Sequence, residues 1–193
     1  VSRKSLLVAG FRAFPGQRIN PAQQAARALA RRRAAFALSG VDLHVATLPV
    51  EHFDLSRRLC QKFAETAPDA VLLLGVAARR RTLAVETQAR NRVTLLRPDA
   101  AKQSPWSEKI VHGAPEILSG PAPAALLAAK ARANGVAAQI SRDAGAYLCN
   151  EAFYLALLMD RRAVFVHLPD WRGRRLANAL PALEAMAKAL VFA

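Results

Sequence analysis

The chain is poor in cysteine, histidine, aromatic residues and acidic charge, and each shortage closes a class of explanation. Two cysteines in 193 residues do not make a disulfide framework, which fits a reducing compartment. Four histidines, His44, His52, His112 and His167, are scattered, and none stands at zinc-ligand spacing from a cysteine or another histidine. No metal site is expected, and no cofactor. No apolar run approaches the roughly 20 residues of a membrane span. Near the start, Val1-Ser-Arg-Lys-Ser leads into Leu6-Leu-Val-Ala9, which stops at Gly10. So short a run suits a buried first strand better than the apolar core of a signal peptide. The expectation is a soluble, cytoplasmic protein with no membrane partner.

What is abundant is alanine and positive charge. An apolar fraction of 53% argues for a packed globular fold. Lys and Arg total 28 against 14 Asp and Glu, a net charge of +14. The basic residues gather at Arg31-Arg-Arg33, Arg79-Arg-Arg81 and Arg172 with Arg174-Arg175. One reading is a non-catalytic polyanion-binding protein, with binding that falls steeply as salt rises. Aromatics make up only 6% of the chain and do not interleave with these clusters as stacking platforms would. No zinc-finger, RRM or KH pattern appears. The clusters therefore read as solvated surface, and no specific nucleic-acid partner is expected.

Strand and helix patterns alternate. Leu6–Ala9, Val41–Ala46, Ala70–Gly75, Val136–Ile140 and Ala163–Pro169 read as strands, with Arg92–Arg97 as a further candidate. Asn20-Pro21 is a helix start, Asn capping and Pro at the first position. That helix should run to about Ser39, with Leu29, Phe36 and Leu38 towards the core and Gly40 ending it. A second helix is expected near 54–65, where Leu55, Leu59 and Phe63 form a stripe and Cys60 is assigned to the core beside it. Helices are also expected over 124–134, after Cys149 to about Met159, and over 176–191, where Pro181 either kinks the last helix or marks its start. Residues 98–123 should be mostly irregular. The fold class is α/β, a three-layer sandwich with a mainly parallel, twisted central sheet and helices on both faces. No repeat or linker divides the chain, so residues 1–193 are expected to form a single domain.

In such sheets ligands sit beyond the carboxyl ends of the strands. Four stretches fall there: Gly10–Phe14, Gly75–Arg81, Ser141–Cys149 and His167. Cys149 would stand at the mouth of a helix, where backbone N–H groups and the helix dipole favour a thiolate. It is also explained as a small buried hydrophobe. His167, closing an apolar strand, is a candidate base, or a hydrogen-bonded core residue. Glu86, an acid among apolar neighbours, is a candidate orienter of that base, or a surface acid on a short helix paired with Arg90. Cysteine, imidazole and carboxylate together are the parts of a thiol hydrolase, but no spacing rule links the three.

Ordered motifs carry the next step. They are Gly10-Phe-Arg-Ala-Phe-Pro-Gly16, then Ile19-Asn-Pro21, then Gly75-Val-Ala-Ala-Arg-Arg80 leading to Glu86 and Asn91. Ala144-Gly-Ala-Tyr-Leu-Cys-Asn150 with Tyr154, and Val166-His-Leu-Pro169, complete the set. In this order the set resembles the pyroglutamyl-peptidase I family, the pyrrolidone-carboxylate peptidases. The resemblance implies a peptide substrate with an N-terminal pyroglutamate, cleaved after that residue by a cysteine-type peptidase. It implies Cys149 as nucleophile, His167 as general base and Glu86 as its orienter. It places Phe11 and Phe14 on the lactam ring, with Tyr147, Leu148 and Val76 nearby. It also implies a homo-oligomer, a tetramer in many members.

The chain departs from the family at several positions. Val76 stands where many bacterial members have Gln, and a lost hydrogen bond to a buried polar group costs about 1–3 kcal/mol. The family's Ala-Arg-Ile-Pro-Asp is Leu95-Leu-Arg-Pro-Asp99, so an arginine is either replaced by Leu96 or displaced to Arg97. Thr87 replaces the arginine after the catalytic Glu. The interval between Cys149 and His167 is 18 residues (167 − 149), short for the family, which points to a loop trimmed near residues 160–162. The triad parts persist while the substrate-reading shell differs. That leaves a second reading, a thiol hydrolase of this fold acting on another lactam or small amide.

Overall fold

The computed structural model describes residues 3–159 and 162–193. In chain order the elements are β1 (Lys4–Phe11), α1 (Pro21–Ala30), α2 (Arg33–Leu38), β2 (Val41–Leu48), α3 (His52–Thr66), β3 (Ala70–Val76) and β4 (Leu83–Glu86). There follow β5 (Gln88–Arg90), β6 (Ile117–Ser119), α4 (Ala124–Ala133), β7 (Ala138–Ser141), α5 (Leu148–Leu158), β8 (Ala163–Leu168) and α6 (Arg174–Phe192). Six strands form one sheet in the order β2-β1-β3-β8-β4-β7. Every neighbouring pair is parallel except β4 with β8, which is antiparallel. A separate two-stranded ribbon joins β5 and β6.

The period-two alternation of the central strands divides the core. Leu6, Val8, Leu72, Leu74, Val164 and Val166 pack on one face with α1, α2, α4 and α6. Leu7, Ala9, Leu73, Ala163 and Phe165 pack on the other with α3 and α5. The strands are therefore apolar at successive positions, as parallel strands covered on both sides must be. This is the three-layer α/β arrangement expected from the sequence. No helix among the described residues is long and apolar enough to cross a membrane.

Four local expectations are corrected. The helix from Pro21 does not continue to residue 39. It stops at Ala30 and resumes at Arg33. The break brings Phe36 fully into the core and leaves Leu38 92% exposed. Arg33 Nε then donates to the Leu43 carbonyl at 3.1 Å. Cys60 is exposed, because the stripe of Leu55, Leu59 and Phe63 is buried while the next residue round lies about 100° away. Residues 92–97 form no strand. Their backbone bonds go elsewhere: the Val93 amide to the Glu108 carbonyl, the Thr94 amide to the Ala146 carbonyl, and the Arg92 carbonyl to the Asn150 side chain. Conversely β4, not foreseen as a strand, enters the sheet between β8 and β7. Pro181 lies inside α6, which begins seven residues earlier, at Arg174. Both Pro181 and Ala177 are exposed, so the carbonyl left without a donor faces water.

Candidate active site

Parity within the strands sets the site. In the antiparallel pair, Ala84 lies opposite His167 and Glu86 opposite Phe165. Leu83 and Val85 pack on the α1/α6 side with Val164 and Val166, so Glu86 and His167 both point to the other face, towards α5. Diagonal neighbours on one face of a pair are within reach of long side chains, and His167 Nδ1 meets Glu86 Oε1 at 2.8 Å. Glu86 is 1% exposed, and a carboxylate so buried requires partners. It has them: Arg80 Nη1 lies 3.0 Å from Oε1, and the Asp143 amide donates to Oε2 at 3.2 Å. Arg80 is held in turn by the Ser141 hydroxyl at 3.3 Å and the Asp143 carbonyl at 3.0 Å.

Cys149 is the second residue of α5. The turn before it uses Gly145 at φ +86°, a left-handed conformation that costs other residues about 1 kcal/mol or more. The Asp143 carboxylate caps this turn by accepting from the Gly145 amide at 3.0 Å. Asn150, the next residue, fixes the helix start to the neighbouring chain. Its side chain accepts from the Arg90 amide and donates to the carbonyls of Arg90 and Arg92, all at 2.8 Å. The sulfur comes to rest over Gly75 on β3. A Cβ at that position would lie 3.0 Å from Cys149 Sγ and 2.6 Å from the Phe165 ring. Gly75 is paired with His167 across β3 and β8, so one strand junction carries both the imidazole and the space for the thiol.

Cys149 and His167 line one cavity, and the surroundings of the imidazole set its charge. Burial alone would lower its pKa, but the interactions with Cys149 and then with Glu86 outweigh burial and raise it to about 9. In this arrangement His167 carries its proton at neutral pH.

A cavity of about 200 Å3 opens in front of the pair, lined by Phe11, Phe14, Val76, Tyr147, Leu148, Cys149 and His167. All eight residues singled out from the sequence thus fall at one place: seven line the cavity, and Glu86 lies behind His167. Asn20, Val50, Ala144 and Arg97 complete the lining. Asn20 is committed to capping α1, accepting from the Ala22 amide at 2.9 Å and donating to the Arg12 carbonyl at 3.0 Å. Leu96 is 95% exposed, whereas Arg97 lies over the Tyr147 ring at 4.5 Å. The arginine is therefore displaced by one position and not lost. The shortened loop expected near 160–162 falls at residues 160 and 161, outside the described residues.

Sequence reasoning missed three supports. Arg80 stood in a motif but without an assigned partner, and only the approach of β4 reveals that it neutralises Glu86. Tyr147 is held by its hydroxyl donating to the Pro98 carbonyl at 3.0 Å and by the edge of His52. His52 Nδ1 in turn meets Glu151 Oε2 at 2.5 Å in a buried pair. His52 and Glu151 lie 99 residues apart, and no local pattern announces their contact.

A thiol, an imidazole and a buried carboxylate, gathered at the strand ends of a mostly parallel sheet, define an α/β thiol hydrolase. Comparison with known proteins gives the particular family. The chain belongs to the pyroglutamyl peptidase family, whose model matches residues 4–172. It is 32% identical over 192 residues to the pyrrolidone-carboxylate peptidase of Thermococcus onnurineus, covering 95% of this chain and 94% of the relative. With the pyrrolidone-carboxylate peptidase of Clavibacter michiganensis subsp. michiganensis it shares 34% identity over 170 residues, 86% of this chain and 78% of the relative. Among solved structures it is similar to pyroglutamyl peptidase I from Bacillus amyloliquefaciens, with a TM-score of 0.88 over 99% of this chain and 98% of that one at 24% identity. The pyrrolidone carboxyl peptidase from Thermococcus litoralis gives a TM-score of 0.86 over 96% and 92% at 26% identity.

Proposed function

We propose that this protein hydrolyses the bond after an N-terminal pyroglutamyl residue, as a cysteine-type omega peptidase, with Cys149 as nucleophile, His167 as acid and base, and Glu86 orienting His167. The observation that carries the reading is His167, held by Glu86 at 2.8 Å and lining with Cys149 the same small apolar cavity. Its volume of about 200 Å3 falls below the roughly 300–1,000 Å3 of drug-sized sites. That suits a flat five-membered lactam between Phe11, Phe14, Tyr147 and Leu148, with Val76 at its rim. A substrate with no free amino group needs no carboxylate in the pocket, and none lines it.

The chemistry follows from the charge state. The Cys149 thiolate attacks the pyroglutamyl carbonyl carbon, and the carbonyl electrons move onto oxygen. As the tetrahedral adduct collapses, the bond to the leaving nitrogen breaks and His167 gives that nitrogen its proton. Neutral His167 then takes a proton from water, which attacks the thioester. Pyroglutamate leaves and the thiolate–imidazolium pair is restored. Glu86, held by Arg80, fixes the imidazole through Nδ1.

The test is release of a fluorophore from pyroglutamyl coumarin amide. Cys149→Ala and His167→Ala should each abolish turnover, and the double variant should be no worse than either, since triad members act as a unit. Turnover surviving Cys149→Ala overturns the assignment. The second reading, another lactam or small amide, is favoured by Val76, which offers no hydrogen bond where it lines the cavity. It gains if the pyroglutamyl substrate is inert while half-buried Cys149 still alkylates far faster than exposed Cys60.

The two unpaired cysteines support action in a reducing compartment such as the cytoplasm. We further read residues 1–193 as one peptidase domain, assembling as the tetramer the family resemblance implies. Sedimentation of the purified protein tests the assembly.

A further inference from the structure

The site cavity continues into a larger cleft of about 670 Å3, lined by Phe14, Pro15, Gly16, Gln17, Val76–Arg80 and Arg97. Phe14, Val76 and Arg97 line both spaces, so a substrate whose first residue fills the small cavity can lay its following residues along the cleft. Among the described residues, three arginines and no carboxylate line the cleft. Arg80 is taken up by Glu86, Ser141 and Asp143. Arg79 and Arg97 are exposed, and neither has a carboxylate partner among the described residues. Arg97 rests its guanidinium on Tyr147, which holds it at the junction. Asp170 stands at the rim beside Gln17. It already accepts from Gln17 at 2.9 Å and from Arg172 at 2.9 and 3.2 Å, so it does not cancel Arg79 or Arg97.

We propose that this cleft is a leaving-peptide subsite selecting acidic side chains, so that pyroglutamyl peptides with Asp or Glu in the first two positions after the lactam are the preferred substrates. Arg97 reads the first of these and Arg79 the second. The inference rests on the pyroglutamyl-peptidase reading and adds to it a charge preference that the lactam pocket cannot supply. Charge pairs at a partly exposed cleft contribute modestly, about 0.2–1 kcal/mol each. The expected selectivity is therefore about 1.4- to fivefold in kcat/KM for each acidic side chain and sensitive to salt.

The experiment compares C-terminally amidated pyroglutamyl peptides carrying Glu-Ala, Ala-Glu, Ala-Ala or Lys-Ala after the lactam, at about 20 mM and about 500 mM salt. Amidation removes the terminal carboxylate, so only the side chain differs. Both Glu peptides should exceed Ala-Ala by about 1.4- to fivefold at low salt, Lys-Ala should be the poorest, and the differences should shrink at high salt. Arg79→Gln, a change at an exposed position, should reduce the advantage of Ala-Glu more than that of Glu-Ala. Turnover of Ala-Ala with no advantage for either Glu peptide, or with Lys-Ala preferred, overturns the subsite and leaves the peptidase reading intact. No turnover of any of the four overturns both.

Discussion

His167 and Glu86 meet at 2.8 Å across the one antiparallel junction of the main sheet. The junction matters because it sets the carboxylate on the same face of the sheet as the imidazole, the face that α5 covers. The imidazole is thereby clamped between sulfur and carboxylate, with Nδ1 committed to Glu86 and the rest of the ring free to serve Cys149. The carboxylate is in turn fixed by Arg80 and the Asp143 amide. A buried ion pair completed on every side rigidifies its members, and removing one partner leaves the others exposed to the full penalty.

Glu86→Gln should therefore harm both stability and rate. The amide offers one acceptor where the carboxylate offers two, with His167, Arg80 and the Asp143 amide all facing it. Arg80 keeps a quarter of its side chain in water, which softens the loss, so a destabilisation of about 2–3 kcal/mol is expected. Turnover should fall about 100-fold or more, because His167 is no longer held or charged correctly. A melting curve and steady-state kinetics on the same preparation check both. A variant that melts early yet keeps its rate would remove Glu86 from the mechanism.

The charge of His167 gives a pH prediction. Burial pulls its pKa down, yet Cys149 and Glu86 raise it from the ordinary 6.5 to about 9 in the folded protein. The proton is bound more tightly in the folded state, so its contribution to stability is full below about pH 6.5. That contribution is lost as pH rises through about 9. Turnover should fall over the same upper limb, as the acid for the leaving amine disappears. In Cys149→Ala the strongest raising partner is gone, and the imidazole should titrate lower. NMR titration of the His167 ring in both proteins measures this, and equal values would disprove the coupling.

The legibility of the chain follows from how local each signal is. β1, β3 and β8 were plain in the sequence because strands buried on both faces are continuous apolar runs. Cys149 and His167 come to one edge by a topological rule, that loops after parallel strands gather there. β4 was not plain: it is four residues long and ends in a glutamate that balances its charge through Arg80, His167 and Asp143, none of them adjacent. Residues 92–97 failed in the opposite sense. They alternate like a strand, yet Asn150 and two loop carbonyls take their hydrogen bonds. Cys60 was misplaced because a residue beside a helical stripe is 100° away from it. The displaced Arg97 and the His52–Glu151 pair depend on backbone course and distant contact, which composition and spacing do not carry.

Gly75→Ala should damage the site without touching its chemistry. The added methyl would meet the Phe165 ring at 2.6–2.8 Å and Cys149 Sγ at 3.0 Å. Phe165 is wholly buried and packs against Phe11, Phe153 and His167, so it has little room to yield. Overpacking of this kind costs about 1–3 kcal/mol. The sulfur and imidazole should shift as well, giving a slower reaction of Cys149 with iodoacetamide and a lower kcat. Unchanged alkylation with a lowered melting temperature would show that Phe165 alone absorbs the strain.

Val76→Gln tests what the pocket lacks. Val76 ends β3 beside Gly75 and lines both the cavity and the cleft beyond it. In the family pattern this position supplies a glutamine, and here it supplies no hydrogen bond. Asn20 is already committed, so among the described side chains lining the cavity, Arg97 is the polar group left free apart from Cys149 and His167. Val76 is half-buried at a strand end, where a longer side chain has an open cleft to enter, so the variant should fold normally. A new bond to the lactam acts in ground state and transition state alike. It should lower KM about five- to tenfold with little change in kcat, the signature of uniform binding worth about 1–1.4 kcal/mol. Initial rates across a range of pyroglutamyl coumarin amide concentrations separate the two constants. A rise in kcat with KM fixed would mean that position 76 acts on the transition state. A rise in KM would mean that the valine, and not a missing amide, is what this pocket requires.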